Sequence, residues 1–136
     1  DYAHTPDAFE NILSNINKLT KKDIITVFGC GGNRDKTKRA KMGAIAEKYS
    51  SYIYLTNDNP RFENENSIID DIIKGLKNEK YSIIKNRSKA LHEILQKYSN
   101  KIIVILGKGR DDYQIVKDKK EFHSDIGIIE EYLDEN

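Results

Sequence analysis

The sequence predicts an α/β fold: a mostly parallel sheet of about six strands with helices on both faces, a Rossmann-like three-layer sandwich. Three observations predict it. Short β-branched apolar runs alternate along the chain with longer stretches whose apolar residues recur at helical spacing. The runs Ile24-Ile25-Thr26-Val27-Phe28 and Ile102-Ile103-Val104-Ile105-Leu106 are apolar almost throughout, as strands buried on both sides are. Polar loops marked by Gly or Pro follow three of the predicted strands directly, at 29–39, 56–63 and 107–112. Strand–helix alternation of this kind builds a parallel sheet through crossover helices.

The elements follow in order. Thr5-Pro6-Asp7 is a helix start, with Thr as N-cap, Pro at the first helical position and an acid in the first turn. Phe9, Ile12, Leu13, Ile16 and Leu19 then fall on one face. The strand 24–28 is stopped by Gly29. Lys38 to Tyr49 reads as a helix with Met42, Ile45, Ala46 and Tyr49 inward, and Tyr52-Ile53-Tyr54-Leu55 as the next strand. Ile68, Ile69, Ile72, Ile73 and Leu76 mark a third helix, Tyr81 to Lys85 a strand, and Ala90, Leu91, Ile94, Leu95 and Tyr98 a fourth helix. The strand 102–106 runs into Gly107-Lys108-Gly109. Tyr113 to Val116 and the stretch around Phe122 suit a short hairpin across Lys117-Asp118-Lys119. A last amphipathic helix runs from about Asp125 to Leu133 with Ser124 as its cap.

Composition narrows the function. The 136 residues make one domain, and 23 Lys+Arg against 22 Asp+Glu leave a net charge of +1, unlike a general nucleic-acid binder. The stretch Arg34 to Lys41 holds five basic residues and one acid but no aromatic for base stacking, so no nucleic-acid partner is expected. No apolar run approaches the ~20 residues of a membrane span and no signal-peptide pattern opens the chain. The single Cys excludes an intramolecular disulfide and a thiolate zinc site, and His4, His92 and His123 lack metal-ligand spacing. Cys30 has no sequence neighbour that would activate it and reads as a packing residue; His92 is expected on the solvated face of its helix. The expectation is a soluble, cytoplasmic domain without a membrane partner. The chain opens at Asp1, without Met and inside what reads as a motif, so a fragment of a longer protein is expected.

Ligands of parallel sheets bind at the carboxyl ends of the strands, so the three loops are the candidate site. In Gly29-Cys30-Gly31-Gly32-Asn33-Arg34-Asp35-Lys36-Thr37-Lys38-Arg39 the glycines let backbone N–H groups converge, and the basic side chains suit an anion. The loop is neither a Walker A motif, since no Gly-Lys-Ser/Thr closes it, nor a dinucleotide fingerprint, since Arg34 occupies the third glycine position. In Asp58-Asn59-Pro60-Arg61 the proline holds Asn59 extended and places Asn59 and Arg61 reproducibly. A preset Arg grips a carboxylate through two parallel hydrogen bonds. In Gly107-Lys108-Gly109-Arg110-Asp111-Asp112 the glycines allow close approach and the acids suit an ammonium. The first and third patterns alone are equally those of ordinary polar turns, the second alone is more often an ordinary Asx-Pro turn, and a non-catalytic module binding a small anionic ligand would use the same loops.

Taken together, these loops resemble the C-terminal domain of the Mur ligases, of the meso-diaminopimelate-adding type. Asp1-Tyr2-Ala3-His4-Thr5-Pro6-Asp7 resembles the motif that opens that domain. Gly29 to Lys36, Lys38-Arg39, Met42-Gly43-Ala44-Ile45-Ala46, Asp58 to Arg61, Gly107-Lys108-Gly109 and Asp112-Tyr113-Gln114 follow in the family's order, over essentially the whole chain. The resemblance implies an ATP-dependent amide ligase of peptidoglycan precursor synthesis. In that reaction ATP phosphorylates the glutamate carboxylate of UDP-MurNAc-L-Ala-D-Glu, and the amine of a diamino acid attacks the acyl phosphate. It implies ATP and Mg²⁺ as cofactors, bound mainly by a central ATPase domain, with an N-terminal UDP-binding domain also outside residues 1–136; the fragment alone is expected to be inactive. Position by position, it assigns Arg34, Asn59, Arg61, Gly107 and Asp111 to the diamino acid, with Arg61 on its distal carboxylate and Gly107 and Asp111 on its distal ammonium. It assigns Asp1 and His4 to the nucleotide, and no catalytic residue to this part of the protein. Where the family has His-Glu after the second glycine, this chain has Arg110-Asp111. The shorter acid leaves room for an analogue such as meso-lanthionine.

Overall fold

The computed structural model describes all 136 residues. In chain order they form α1 (Pro6–Leu19), β1 (Ile24–Phe28), α2 (Thr37–Tyr49), β2 (Tyr52–Leu55), α3 (Glu65–Ile73) and β3 (Tyr81–Ile83). There follow α4 (Arg87–Lys97), β4 (Ile102–Ile105), β5 (Tyr113–Val116), β6 (Lys119–Phe122) and α5 (Asp125–Glu135). Four strands form one sheet in the order β3-β2-β1-β4, with every pair parallel. The α/β class and the helices on both faces are as the sequence predicts. The six strands are also present, but two of them lie outside the parallel sheet. β5 and β6 pair antiparallel as a separate hairpin, turned by Lys117 in the left-handed region (φ 57°). The hairpin docks on the loop after β2 rather than on a sheet edge, through an isolated parallel bridge between Arg61 and Val116.

β1 is buried along its whole length because it is paired on both sides and covered on both faces. Successive strand side chains point to opposite faces. Ile24 and Phe28 accordingly join Phe9, Leu13, Met42, Ile68 and Ile72 in one core beneath α1, α2 and α3. Ile25 and Val27 join Tyr54, Leu91 and Ile94 in the other, against α4, with Ile128 and Ile129 of α5 packed on its rim. α1 begins where Thr5 Oγ1 accepts from the Ala8 N–H at 3.2 Å. Phe9 and Leu13 are its buried residues, whereas Leu19, placed on the inward face by its spacing, is exposed. It is the last helical residue, and Thr20 turns the chain away in extended geometry.

α5 is anchored by charge as much as by packing. The fully buried Arg87 guanidinium donates to both Asp125 oxygens at 2.8 Å, and also to Leu106 O at 3.1 Å and Asn57 O at 3.3 Å. His123 Nε2 lies 2.6 Å from Asp125 Oδ1, and its Nδ1 lies 3.1 Å from Ser88 Oγ. Burial by itself would raise the Asp125 carboxyl, but the hydrogen bonds from Arg87 and His123 outweigh it and hold the group far below the usual carboxylate range. Arg87 thus ties the start of α4 to α5 and to the ends of β2 and β4.

Removing one partner of a buried ion pair strands the other, so Arg87→Met should cost about 3–5 kcal/mol in urea unfolding at neutral pH. A carboxyl with a depressed folded pKa contributes stability above its unfolded value and loses it as pH falls. The cost should therefore shrink below the ordinary Asp value of 3.8. A cost that does not change with pH would show that the Asp125 pair is not its source.

Candidate functional site

Because β2, β1 and β4 are parallel neighbours, the loops that follow them open on the same edge of the sheet. They enclose a cavity of about 280 Å³. Six of the seven residues singled out from the sequence line it: His4, Arg34, Asn59, Arg61, Gly107 and Asp111. Asp1 does not. Its Oδ1 accepts from the Ala3 N–H at 2.8 Å and its carbonyl from the Gly107 N–H at 2.9 Å, so it buttresses the loop after β4 from outside the lining.

The first two loops meet backbone to backbone, and two glycines make that possible. A Cβ on Gly29 would lie 2.1 Å from Thr56 O, and one on Gly32 would lie 1.9 Å from Pro60 O. The contact is closed by the Gly32 N–H donating to Asn59 O at 2.7 Å and the Phe62 N–H donating to Asn33 Oδ1 at 3.0 Å. Arg39, buried at the start of α2, reinforces it by donating to Glu63 Oε2 (2.6 Å), Glu63 Oε1 (2.9 Å), Asp71 Oδ2 (3.0 Å) and Gly31 O (2.9 Å). The Arg39 hydrogen bonds, helped by the Asn33 N–H, hold the Glu63 carboxyl down at about 2.

Arg61 adopts the left-handed backbone (φ 52°), at a cost of roughly 1–2 kcal/mol for a residue with a Cβ. The hairpin holds it there. The Arg61 N–H donates to Ile115 O at 3.0 Å, and Arg61 O accepts from the Lys117 N–H at 2.8 Å. Proline alone does not aim this side chain; the clamp by β5 does. Its guanidinium donates to Gly32 O at 3.0 Å and meets no carboxylate. Burial and then the nearby Arg34 lower its pKa. Arg34 is exposed and likewise has no acidic partner, its one hydrogen bond going to Asn33 O at 3.2 Å. Two guanidiniums beside one cavity, without an acid on either, make a site for an anionic group.

On the other flank Gly107 (φ 114°) and Gly109 (φ 55°) turn the loop after β4. The Asp111 carboxylate lines the cavity without a basic partner. Lys108, between the glycines, points inward and is buried, with Nζ 2.7 Å from Asp58 Oδ1 and also donating to Asn59 Oδ1. His4 Nδ1 donates to Tyr2 O at 2.8 Å, which leaves Nε2 as the free ring nitrogen. Cys30 packs against Met42, and burial pushes its thiol up to about 12. The site therefore offers cations and an anion to a ligand carrying both signs of charge.

Lys108, Asp58, Arg39 and Glu63 were not singled out from the sequence. Lys108, Asp58 and Arg39 stand inside the motifs quoted above without a role there, and Glu63 carries no sign at all, because its partner Arg39 is 24 residues away.

The family model for the glutamate ligase domain of the Mur ligases matches residues 1–127. A UDP-N-acetylmuramoyl-L-alanyl-D-glutamate–2,6-diaminopimelate ligase from Prochlorococcus marinus subsp. pastoris is 47% identical over 138 residues, covering 99% of this chain and 27% of its own length. The ligase of the same name from Wigglesworthia glossinidia brevipalpis is 49% identical over 135 residues, covering 98% of this chain and 27% of its own length. A solved structure of a ligase of that name superposes with a TM-score of 0.92 at 32% identity, over 99% of this chain and 28% of that one. The chain thus spans little more than a quarter of the length of the proteins it matches.

Two outcomes are expected. A thiol held near 12 instead of the ordinary 9 carries on the order of 1000-fold less thiolate at pH 8, so iodoacetamide should label Cys30 only as fast as the protein opens. Rapid labelling of the folded chain would show the thiol to be accessible. Glu63, depressed from 4.5 to about 2, contributes stability above pH 4.5 that is lost as pH falls toward 2. Glu63→Gln should then differ most from the parent in thermal unfolding at pH 6 and least at pH 2.

Proposed function

The chain belongs to the Mur ligase family, and from that premise we propose that it is the amino-acid-receiving domain of an ATP-dependent ligase. The full protein, on this reading, adds meso-diaminopimelate, or a close analogue charged at both ends, to UDP-MurNAc-L-Ala-D-Glu in peptidoglycan precursor synthesis. The observation that carries the reading is the cavity in which Arg61 and Arg34 lack an acid while Asp111 lacks a base. The distal carboxylate of the diamino acid supplies the missing acid and its distal ammonium the missing base. Gly107 O offers the ammonium a second acceptor.

Lysine has no distal carboxylate, so binding it would desolvate Arg61 with nothing in return. That gives the selectivity a physical source, since burying an unpaired charge costs several kcal/mol. In the chemical step a glutamate carboxylate oxygen attacks the γ-phosphorus of ATP and the β–γ bridging bond breaks. The free amine of the diamino acid then attacks the acyl carbon, phosphate leaves, and the amine gives up its proton as the amide forms. This domain's part is positioning: it holds the diamino acid by its far end so that the reacting amine meets the acyl phosphate in one orientation. His4, on the cavity wall with Nε2 free, is assigned on this reading to the nucleotide, and Asp1 to a supporting role through the loop it buttresses. On this reading ATP and Mg²⁺ are bound mainly by the remainder of the protein. No helix is long and apolar enough to cross a membrane; a UDP-linked substrate and ATP, on this reading, favour a cytoplasmic reaction.

The test is made in the full-length enzyme. Arg61→Ala removes charge-assisted hydrogen bonds and should raise KM for diaminopimelate about 10- to 100-fold while KM for ATP stays within about twofold. An Arg61→Ala enzyme that uses diaminopimelate as well as the parent would sink the substrate assignment.

A further inference from the structure

Lys108 is as deeply buried as the core leucines, yet the anion gap in the cavity does not involve it. Its ammonium donates to Asp58 Oδ1 at 2.7 Å and to Asn59 Oδ1, and it lies 5.7 Å from the centre of the Tyr113 ring. Asn59 Oδ1 also accepts from the Ile115 N–H at 2.9 Å. Both of these partners are donors and nothing else. The orientation of the Asn59 amide is therefore decided: its oxygen is held by Lys108 and Ile115, and its Nδ2, which makes no hydrogen bond within the chain, is the polar end left for the cavity that Asn59 lines.

We infer that Lys108 is a positioning residue: by holding the Asn59 oxygen from behind, it presents the Asn59 amide to the diamino acid only as a hydrogen-bond donor. Asn59 then sides with Arg34 and Arg61 as a group that recognises a carboxylate, not with Asp111 and Gly107, which recognise an ammonium. The same ammonium joins the two recognition loops, since it comes from the loop after β4 and bonds only to residues of the loop after β2. It also pairs with Asp58, which lines the same cavity, so that this carboxylate is satisfied within the chain. The inference rests on the substrate reading above and adds the polarity of one contact and the residue that sets it.

The experiment uses the full-length ligase, with KM and kcat measured separately for diaminopimelate, ATP and the UDP-linked dipeptide. Lys108→Met alone would leave Asp58 buried and unpaired, so it is made together with Asp58→Asn, and thermal unfolding confirms that the double variant folds. The expected result is a KM for diaminopimelate raised about tenfold, with the other two KM values within about twofold and kcat at saturation largely kept. Asn59→Asp keeps the shape but turns the cavity-facing donor into an acceptor, and should raise the same KM by tenfold or more. An unchanged diaminopimelate KM in the double variant, an equal loss for all three substrates, or an Asn59→Asp enzyme that binds diaminopimelate as well or better, each overturns the assignment. Arg61→Ala measured alongside separates the two claims. If it is impaired while the double variant is not, only the role of Lys108 falls; if it is unimpaired, the substrate reading falls with it.

Discussion

Parallel pairing of β2, β1 and β4 is the constraint on which the site depends. Three neighbouring strands running the same way must deliver their following loops to one edge, and every residue assigned to the ligand comes from those loops or from the residues that open the chain. The loops could still splay apart. They do not, because Gly29 and Gly32 have no side chain where Thr56 O and Pro60 O pass, so the first two loops touch through their backbones and exchange hydrogen bonds. The hairpin β5–β6 then closes the far side of the second loop and holds Arg61 in a backbone conformation it would not adopt alone.

The cations of this domain divide by whether the protein itself satisfies them. Arg39, Arg87 and Lys108 are buried, and each is paired with a carboxylate and with backbone or amide oxygens. They act as struts: Arg39 joins α2 to α3 and the first loop, Arg87 joins α4 to α5, and Lys108 joins the second and third loops. Arg34 and Arg61 find only carbonyl oxygens and keep their charge for something outside the chain. A buried charge must be paired where it sits, whereas one at a cavity wall remains hydrated until a ligand takes the place of water. The +1 net charge of the chain hides this division, since it counts both kinds alike.

Much of the site was legible in the chain. Glycine, proline and arginine in short motifs after apolar runs act locally, and His4, Arg34, Asn59, Arg61, Gly107 and Asp111 do converge on one cavity. The readings of Cys30 as a packing residue and of a hairpin across 117–119 were local too, and the structure has both. The differences are local too, and lie in where an element ends and which neighbour a group meets. Leu19 kept the helical period but not the burial, because the helix ends on it. Asp1 belonged to the opening motif yet turned its carboxylate to Ala3 rather than to the cavity. Six strands were there, but the last two were joined by so short a turn that they paired with each other instead of extending the parallel sheet.

By itself, the sequence determined the α/β class, the order of helices and strands, and which three loops carry the polar groups, because periodicity, capping and glycine placement express themselves within a few residues. Only the tertiary structure decided which charges are satisfied internally and which are left for a ligand. That choice depends on partners such as Arg87 and Asp125 or Lys108 and Asn59, which lie 38 and 49 residues apart and acquire a common surrounding only when the sheet brings them together. The strength of an ionic contact is set by the water excluded around it, and water is excluded by the fold, not by the chain order.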